Sequence, residues 1–508
     1  MKAGFLRRRD LWLALGVLLL TALAAWLRLR DLGSRGFWRD EAICIFLAQK
    51  SFPAGIINAL YHEAHPPFYY FLQHFWVSIV GWSEFRIRFA SVVPGILTIP
   101  LLYSVGRRFF GWLAGLAAAL LGAVAPLHIL LSQTARMYTW LALFSLLSVW
   151  LLYEAWERGG LARWAGYVLA TLAVVYTHNW GLFLVLAQNG FALWQMLRRR
   201  AWRRRLPAWL VVQVIIGLAY LPWFFVLKEQ VKIIAVLPFV PIPTPAAKLW
   251  KLAGDLLAPW PALLLWLALI VLGCWPRRGA QAGEAGGALS LVICCSLGTL
   301  AAGLFVSLGT YGEVPSYVTF SALPALLLLL GRGLTRLRPA WIALPLAALA
   351  VVFSLAGLNR TQFMFKSTLR EVAQTVERQA GPQDMIVIAP DYLAPSFNAY
   401  FHGAQPQVAF PWVMGRLEWI DCYGWNDRWY RAAEAVPATL AEVEARLGPE
   451  GRLFLVAAPT EFPNDTRYFE QVRRLKAELD ARYHLTQTIA RFRKAAEWAD
   501  IYVYERVP

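Results

Sequence analysis

Long apolar runs separated by arginine clusters constrain this chain more than any other feature. They occupy residues 11–27, 89–105, 113–131, 139–156, 164–177, 182–197, 207–227, 256–274, 288–307, 318–330 and 341–358. Most of them approach the ~20 apolar residues that a helix needs to cross a bilayer. The arginines fall at alternate breaks: Arg7-Arg8-Arg9, Arg107-Arg108, Arg158 and Arg163, the cluster from Arg198 to Arg205, Arg277-Arg278, and Arg332, Arg336 and Arg338. Cytoplasmic loops carry such an excess of positive charge. The expectation is a polytopic α-helical membrane protein with about eleven spans, its N-terminus inside and its C-terminus outside.

Composition agrees, with 58% hydrophobic and 16% charged residues. The formal charge of +18 sits at the junctions between apolar runs, which makes it a topology signal and excludes a nucleic-acid groove. The first run resembles a signal peptide with Ala22-Leu23-Ala24 as a cleavage-like site, but further runs follow and it is read as an uncleaved helix. Residues 65–80 begin with Pro66-Pro67 and read as a short re-entrant or interfacial helix; a span there would invert everything after it. Residues 228–251 form a Pro-rich external loop.

From residue 359 the composition becomes soluble. Helical patterns at 367–379, 393–401 and 465–483 alternate with strand patterns at 385–388, 453–456 and 501–504, which implies a C-terminal extracytoplasmic α/β domain. The domains expected are 1–358, a transmembrane catalytic unit whose first external loop is 28–88, and 359–508. The five cysteines, Cys44, Cys274, Cys294, Cys295 and Cys422, show no metal spacing. A disulfide between Cys44 and Cys422 needs a geometry that spacing alone does not supply.

Residues 33–88 concentrate the chemistry. Here lie Asp40-Glu41, His62, Glu63 and His65, and the arginines Arg86 and Arg88, directly after the first apolar run. Ionisable groups beside a membrane segment mark a site by default. A solvated loop is the competing reading, and Asp40-Glu41 also suits the N-terminal cap of a helix. Arg136 and Tyr138 fit both phosphate binding and the anchoring of a helix end at the interface. His65 and His178 fit structural imidazoles or metal ligands with oxygen from Glu41 or Glu63.

Five segments in order carry a resemblance: Asp40-Glu41, His65-Pro66-Pro67-x-Tyr69-Tyr70, Gly81-x-Ser83-Glu84-x-x-x-Arg88, Ser132-Gln133-x-Ala135-Arg136-Met137-Tyr138 and Thr177-His178-x-x-Gly181. Together they resemble the membrane glycosyltransferases of the GT-C superfamily, in the branch of the dolichyl-phosphate-mannose protein mannosyltransferases and the aminoarabinose transferases. The resemblance covers roughly residues 5–360. It implies a polyprenyl-phosphate sugar donor, a lipid, glycan or protein acceptor outside the cytoplasm, inversion at the anomeric carbon, and a bacterial inner membrane location.

It also implies Asp40 as general base with Glu41 orienting it or binding metal. A set of Arg86, Arg88, Arg136, Tyr138, His65, Tyr69, Lys228 and Tyr317 would contact donor phosphate and substrate. A divalent metal, where one is used, would sit among Glu41, Glu63, His65 and His178. Two departures stand out: Thr134 replaces an acid of the family motif, and Ser316-Tyr317 replaces an Arg-Tyr pair. A flippase of lipid-linked saccharides and an inactive relative that binds lipid-linked sugar are the rival readings. A flippase would place its polar site at mid-membrane between repeated halves, and this chain does neither.

Overall fold

The computed structural model describes residues 2–61, 63, 65–198, 203–236, 263–276, 284–308, 320–361, 367–411, 425–458, 466–490, 495 and 497–507. The first half holds α1 (Lys2–Leu29), α2 (Arg39–Ala48), α3 (Ala54–Leu60), α4 (Phe68–Val80), α5 (Glu84–Phe110), α6 (Trp112–Val124), α7 (Pro126–Ser132), α8 (Tyr138–Arg158), α9 (Leu161–Thr177) and α10 (Gly181–Arg198). Then come α11 (Leu206–Val236), α12 (Leu263–Cys274), α13 (Glu284–Ile293), α14 (Thr299–Leu308), α15 (Leu323–Leu334) and α16 (Ala343–Thr361). A π-helical turn, Cys294–Gly298, joins α13 to α14.

Among the described residues, six helices are long and apolar enough to cross a membrane, or seven if the bent pair α6–α7 is one span. Helices α9, α12 and α15 are apolar but shorter, so length and composition alone give fewer spans than the eleven runs of the sequence. Helix α4 has 13 residues, about 20 Å of helix, too short for a hydrocarbon core of about 30 Å. Ion pairs gather one set of helix ends: Arg107 lies 3.8 Å from Asp10, and Arg108 and Arg158 lie 2.7 and 3.0 Å from Glu154.

The run 113–131 reads as one helix, yet it bends by 57° between α6 and α7. Pro126 lacks the N–H that would continue the ladder, and the bend leaves carbonyls of α6 without helical partners. Arg28, fully buried, satisfies them. Its Nη1 donates to Ala24 and Ala123, its Nη2 to Gly122 and His128, and its Nε to Ser132. All five N–H groups of that guanidinium are thereby used, as a membrane interior demands. Close crossing of α5 and α6 depends on small residues, since a Cβ on Gly106 would lie 2.6 Å from the Gly115 Cα.

The C-terminal part contains α17 (Leu369–Gln379), α18 (Ala394–Asn398), α19 (Trp425–Arg446) and α20 (Thr466–Arg482), with strands β1 (Met385–Ala389), β2 (Gln407–Ala409), β3 (Leu453–Ala457), β4 (Tyr483–Ile489) and β5 (Asp500–Arg506). The sheet order is β2-β1-β3-β5-β4; β1 is parallel to β2 and β3, and β5 is antiparallel to β3 and β4. Strands β1 and β3 are buried along their whole length, which is why their unbroken apolar runs are readable. Short β2 and largely exposed β4 carry no such run, and the sequence reading has neither. The expected helix at 393–401 is a 3-10 turn, Asp391–Leu393, followed by α18.

This domain docks on the loop before α2. Arg370 Nη1 lies 3.0 Å from Glu84 Oε1, and Arg370 Nη2 donates to the Ser34 carbonyl at 2.8 Å. Tyr400 accepts from Phe37 N at 2.7 Å and donates to Glu84 at 3.0 Å.

Candidate functional site

Helix α2 opens on two adjacent acids with different surroundings. Glu41 points inward and is 1% exposed. Its Oε1 accepts from Arg88 Nε at 2.8 Å and from Ala135 N at 2.7 Å, and its Oε2 accepts from Arg88 Nη2 at 2.7 Å and Trp38 N at 3.3 Å. Arg88 spends its other N–H groups on the carbonyls of Leu32, Arg35 and Gly36. The pair locks the start of α2 to α5 and to the turn before α8. With its five donors engaged, Arg88 presents none to a phosphate, and Glu41 has no oxygen turned to a metal. The phosphate contact expected of Arg88 and the metal expected of Glu41 find no unspent group in this latch, whereas an orienting role for Glu41 fits it.

Asp40, one residue earlier, faces the other way. Its side chain keeps 21% of its exposure, and Arg39 Nε lies 3.2 Å from its Oδ1. Behind it, Arg136 is buried and donates from Nη1 to the Asp40 carbonyl at 3.2 Å. The Nε of Arg136 has no hydrogen-bond partner among the described residues. Burial opposes its charge, but Tyr70, Tyr138 and Asp40 hold its pKa above the usual arginine value. A buried, ionised guanidinium with an idle donor is suited to an anion.

Two imidazoles complete this chamber. The His65 and His178 rings lie 4.8 Å apart, and Tyr138 stands 5.9 Å from His178. His65 Nδ1 and His178 Nε2 have no partner among the described residues, while His178 Nδ1 accepts from Trp180 N at 3.1 Å. Burial, then the nearby Arg136 charge, pushes His178 down to about 3 and His65 well below its ordinary value. Both rings are neutral at physiological pH. Gln230 on α11 holds this segment in place, donating to the Leu60 carbonyl at 2.8 Å and accepting from Asn179 at 2.9 Å.

The segment 132–138 distributes its work residue by residue. Ser132 bonds Arg28, and Gln133 Nε2 caps α1 through the carbonyls of Leu27, Arg28 and Arg30. Thr134, where the family motif has an acid, returns its hydroxyl to the Leu130 carbonyl at 2.9 Å. Ala135 holds Glu41, leaving Arg136 for the chamber.

Other expected residues lie elsewhere or are occupied. Tyr69 is buried, its hydroxyl 2.7 Å from both Ser91 and Gln73, which makes it a helix-packing residue and not a substrate contact. Arg86 is exposed and donates to the Val80 carbonyl at the end of α4, an anchoring role in place of a phosphate contact. Lys228 is exposed on α11, two residues before Gln230. Glu63 is buried beside the chamber. Tyr317, Ser316 and Cys422 lie outside the described residues. Cys44 is a buried free thiol. Gln133, Gln230 and Tyr400 have no role in the sequence reading, since uncharged side chains that bond distant parts of the chain leave no local signal.

Among the described residues, no three His, Cys, Asp or Glu gather as a metal site. The neutral nitrogens of His65 and His178 are fit donors, but Glu41 is filled by Arg88 and Ala135. Among the described residues the set falls short of the donors a divalent ion needs.

Comparison with known proteins agrees with the resemblance drawn from the motifs. Residues 64–224 match the family model described as dolichyl-phosphate-mannose-protein mannosyltransferase. The fold is similar to that of ArnT from Cupriavidus metallidurans bound to undecaprenyl phosphate, with TM-score 0.62 at 15% identity over 96% of this chain and 97% of that one. It is also similar to the Archaeoglobus fulgidus oligosaccharyltransferase in complex with Zn and sulfate, with TM-score 0.56 at 14% identity over 87% and 68% of the two chains. The same archaeal enzyme, AglB, in complex with an inhibitory peptide and a dolichol-phosphate, gives TM-score 0.53 at 13% identity over 88% and 70%. No curated protein matches the sequence. The chain has a GT-C type of fold, and the match to the family model lies within its first half.

Proposed function

We propose that this chain is a multi-pass glycosyltransferase of the bacterial inner membrane that takes a sugar from a polyprenyl-phosphate donor. It transfers the sugar to an acceptor hydroxyl on the non-cytoplasmic face, with inversion. The observation that carries the reading is the juxtaposition at the start of α2: a partly exposed carboxylate, Asp40, backed by the buried cation Arg136. A phosphate-linked sugar reacts when the acceptor oxygen attacks the anomeric carbon as the bond from that carbon to the phosphate oxygen breaks. The bonding pair leaves with the phosphate, and the acceptor proton passes to Asp40. Arg136, with its idle Nε, offsets the charge that develops on the leaving oxygen.

Neutral His65 and His178 supply hydrogen bonds to sugar hydroxyls without adding charge, and Tyr138 lines the same wall. Lys228, exposed on α11, and Tyr317, through its place in the late loop, belong to the same proposal as contacts to the donor headgroup. The ion-paired arginine ends of α1, α5 and α8 are read as cytoplasmic, which puts Asp40 and the domain 359–508 on the opposite side. Undecaprenyl phosphate on ArnT and dolichol-phosphate on AglB support the donor class.

The test is mass spectrometry of lipids copurifying with the protein, followed by transfer from the lipid found. A polyprenyl-phosphate sugar consumed in step with acceptor glycosylation is the expected result. A lipid-linked saccharide moved across vesicles with its glycosidic bond intact would establish the flippase reading instead.

A further inference from the structure

Helices α1 and α16 both pack on α6 and leave a groove between them. Its volume is about 630 Å³, within the ~300–1,000 Å³ of pockets that hold one small ligand. Leu116 and Ala117 of α6 lie along it, and Gly16 of α1 and Ala347 of α16 keep its walls apart. A Cβ on Gly16 would meet only Leu116, at 3.9 Å, so no side chain of the protein fills the space beside it. The lining is apolar except for Thr335 and Arg338, which follow α15. Thr335 returns its hydroxyl to the Arg332 carbonyl at 2.8 Å.

The three arginines after α15 differ in what they have left. Arg332 donates to the carbonyls of Gly273 and Trp275, and Arg336 to those of Trp275 and Pro276, so both hold the end of α12. Arg338 is exposed, and among the described residues its guanidinium makes one bond, from Nη1 to the Leu337 carbonyl at 3.3 Å. Its remaining N–H groups are unspent. Arg332 lies over the Phe110 ring at 5.4 Å, and Arg9 over the Trp112 ring at 4.9 Å, so Arg338 belongs to the arginine-rich helix ends. Asp40 follows the opposite end of α1. From Arg9 to Leu20, the deepest α1 residue of the groove, is ~17 Å of helix, close to half of a ~30 Å hydrocarbon core. The groove therefore occupies one leaflet, the one away from the chamber.

We propose that this groove binds one anionic phospholipid of the cytoplasmic leaflet, with an acyl chain between α1 and α16 and its phosphate on Arg338. The proposal goes beyond the transfer reaction and does not depend on it. Leucine and alanine walls suit an acyl chain, and a guanidinium pairs with phosphate oxygens through two parallel hydrogen bonds. An anionic headgroup satisfies that cation, whereas a zwitterionic one brings an ammonium against it. Basic pockets between helices on this side of a membrane recognise such headgroups. The bound lipid ties α1 to α16, the last apolar helix before the C-terminal domain, and so stabilises the assembled fold.

The experiment is thermal unfolding of the full-length protein, stripped of lipid by detergent exchange, while phosphatidylglycerol or phosphatidylcholine with identical acyl chains is titrated in. A lipid that binds the folded state raises the melting temperature, and the concentration giving half of the rise ranks the affinities. The parent should favour phosphatidylglycerol by about fivefold, the worth of one arginine near an anionic surface. Arg338→Gln should lose that preference. Arg204→Gln, at an exposed arginine in the cluster after α10, should keep it. Gly16→Leu, which fills the groove with a better helix former, should need at least fivefold more of either lipid.

Equal affinity of the parent for the two lipids overturns the proposal, as does a preference that survives Arg338→Gln. A preference lost equally in Arg204→Gln would belong to general surface charge and overturns it too. If Gly16→Leu does not fold, the exposed Arg338 decides alone. Undecaprenyl phosphate displacing phosphatidylglycerol would give the groove to a polyprenyl carrier. A lipid-free dimer in native mass spectrometry that Gly16→Leu abolishes would give it to a second copy of the chain. Either result overturns the phospholipid assignment.

Discussion

Arg88 and Arg136 are both buried guanidinium groups bonded to α2, and they differ in what is left over. Arg88 meets a carboxylate with two of its donors and backbone carbonyls with the rest. Arg136 meets one carbonyl of α2 and keeps an idle Nε. The adjacent acids follow the same division, Glu41 on the saturated side and Asp40 on the open one. Net charge near a membrane surface is therefore a poor guide to a site; the unspent donor capacity of each buried cation is a better one. Arg28, saturated at the α6–α7 bend, behaves like Arg88.

The comparison is broken most severely at Asp40. Replacement by Asn preserves shape but removes the proton acceptor, and transfer should fall by ~100- to 10,000-fold with an unchanged melting temperature. Normal turnover in a folded variant would move the base elsewhere. Glu41→Ala probes the saturated side and should cost stability first: it strands Arg88 in the interior at ~3–5 kcal/mol, read by thermal unfolding in detergent. A variant that melts like the parent yet fails in transfer would return Glu41 to the chemistry.

Arg136→Ala sharpens the contrast between the two cations. It should weaken donor-lipid binding by roughly ten- to a hundredfold, the value of a charged hydrogen bond of ~1.5–3 kcal/mol. The fold should survive, because few internal bonds depend on it. Donor titration by quenching of the many tryptophans is the measurement, and parent-like affinity would take Arg136 out of the phosphate site. Tyr400→Phe should have the smallest effect, ~1 kcal/mol for the lost bonds to Phe37 and Glu84, seen as faster proteolysis of the C-terminal domain. Unchanged protease resistance would mean that Arg370 alone holds the docking.

Much of this was legible along the chain. Apolar runs located α5, α8, α11 and α16, and the buried strands β1 and β3 showed as unbroken apolar stretches. The concentration of acids, imidazoles and guanidinium groups near residues 40, 65 and 136 marked the chamber, as did His178. The bend at Pro126 was not read, since a single proline in an apolar run leaves the length of the run unchanged. Arg88 reads as a phosphate contact because charge is written in the sequence and donor saturation is not. Tyr69 followed the motif for the same reason, its hydroxyl being spent on Ser91 and Gln73.

What the sequence by itself determined is the solvent each segment demands. Hydropathy is a property of single residues summed along a window, so membrane helices, loops and the soluble tail follow from it. Only the tertiary structure decided which of two adjacent acids is locked and which is open, and that Tyr400, 363 residues beyond Phe37, comes to the loop before α2. The physical reason is that a hydrogen bond is local in space and saturable. Whether a given donor is already spent depends on carbonyls and carboxylates brought to it from distant parts of the chain, and no window along the sequence contains both partners.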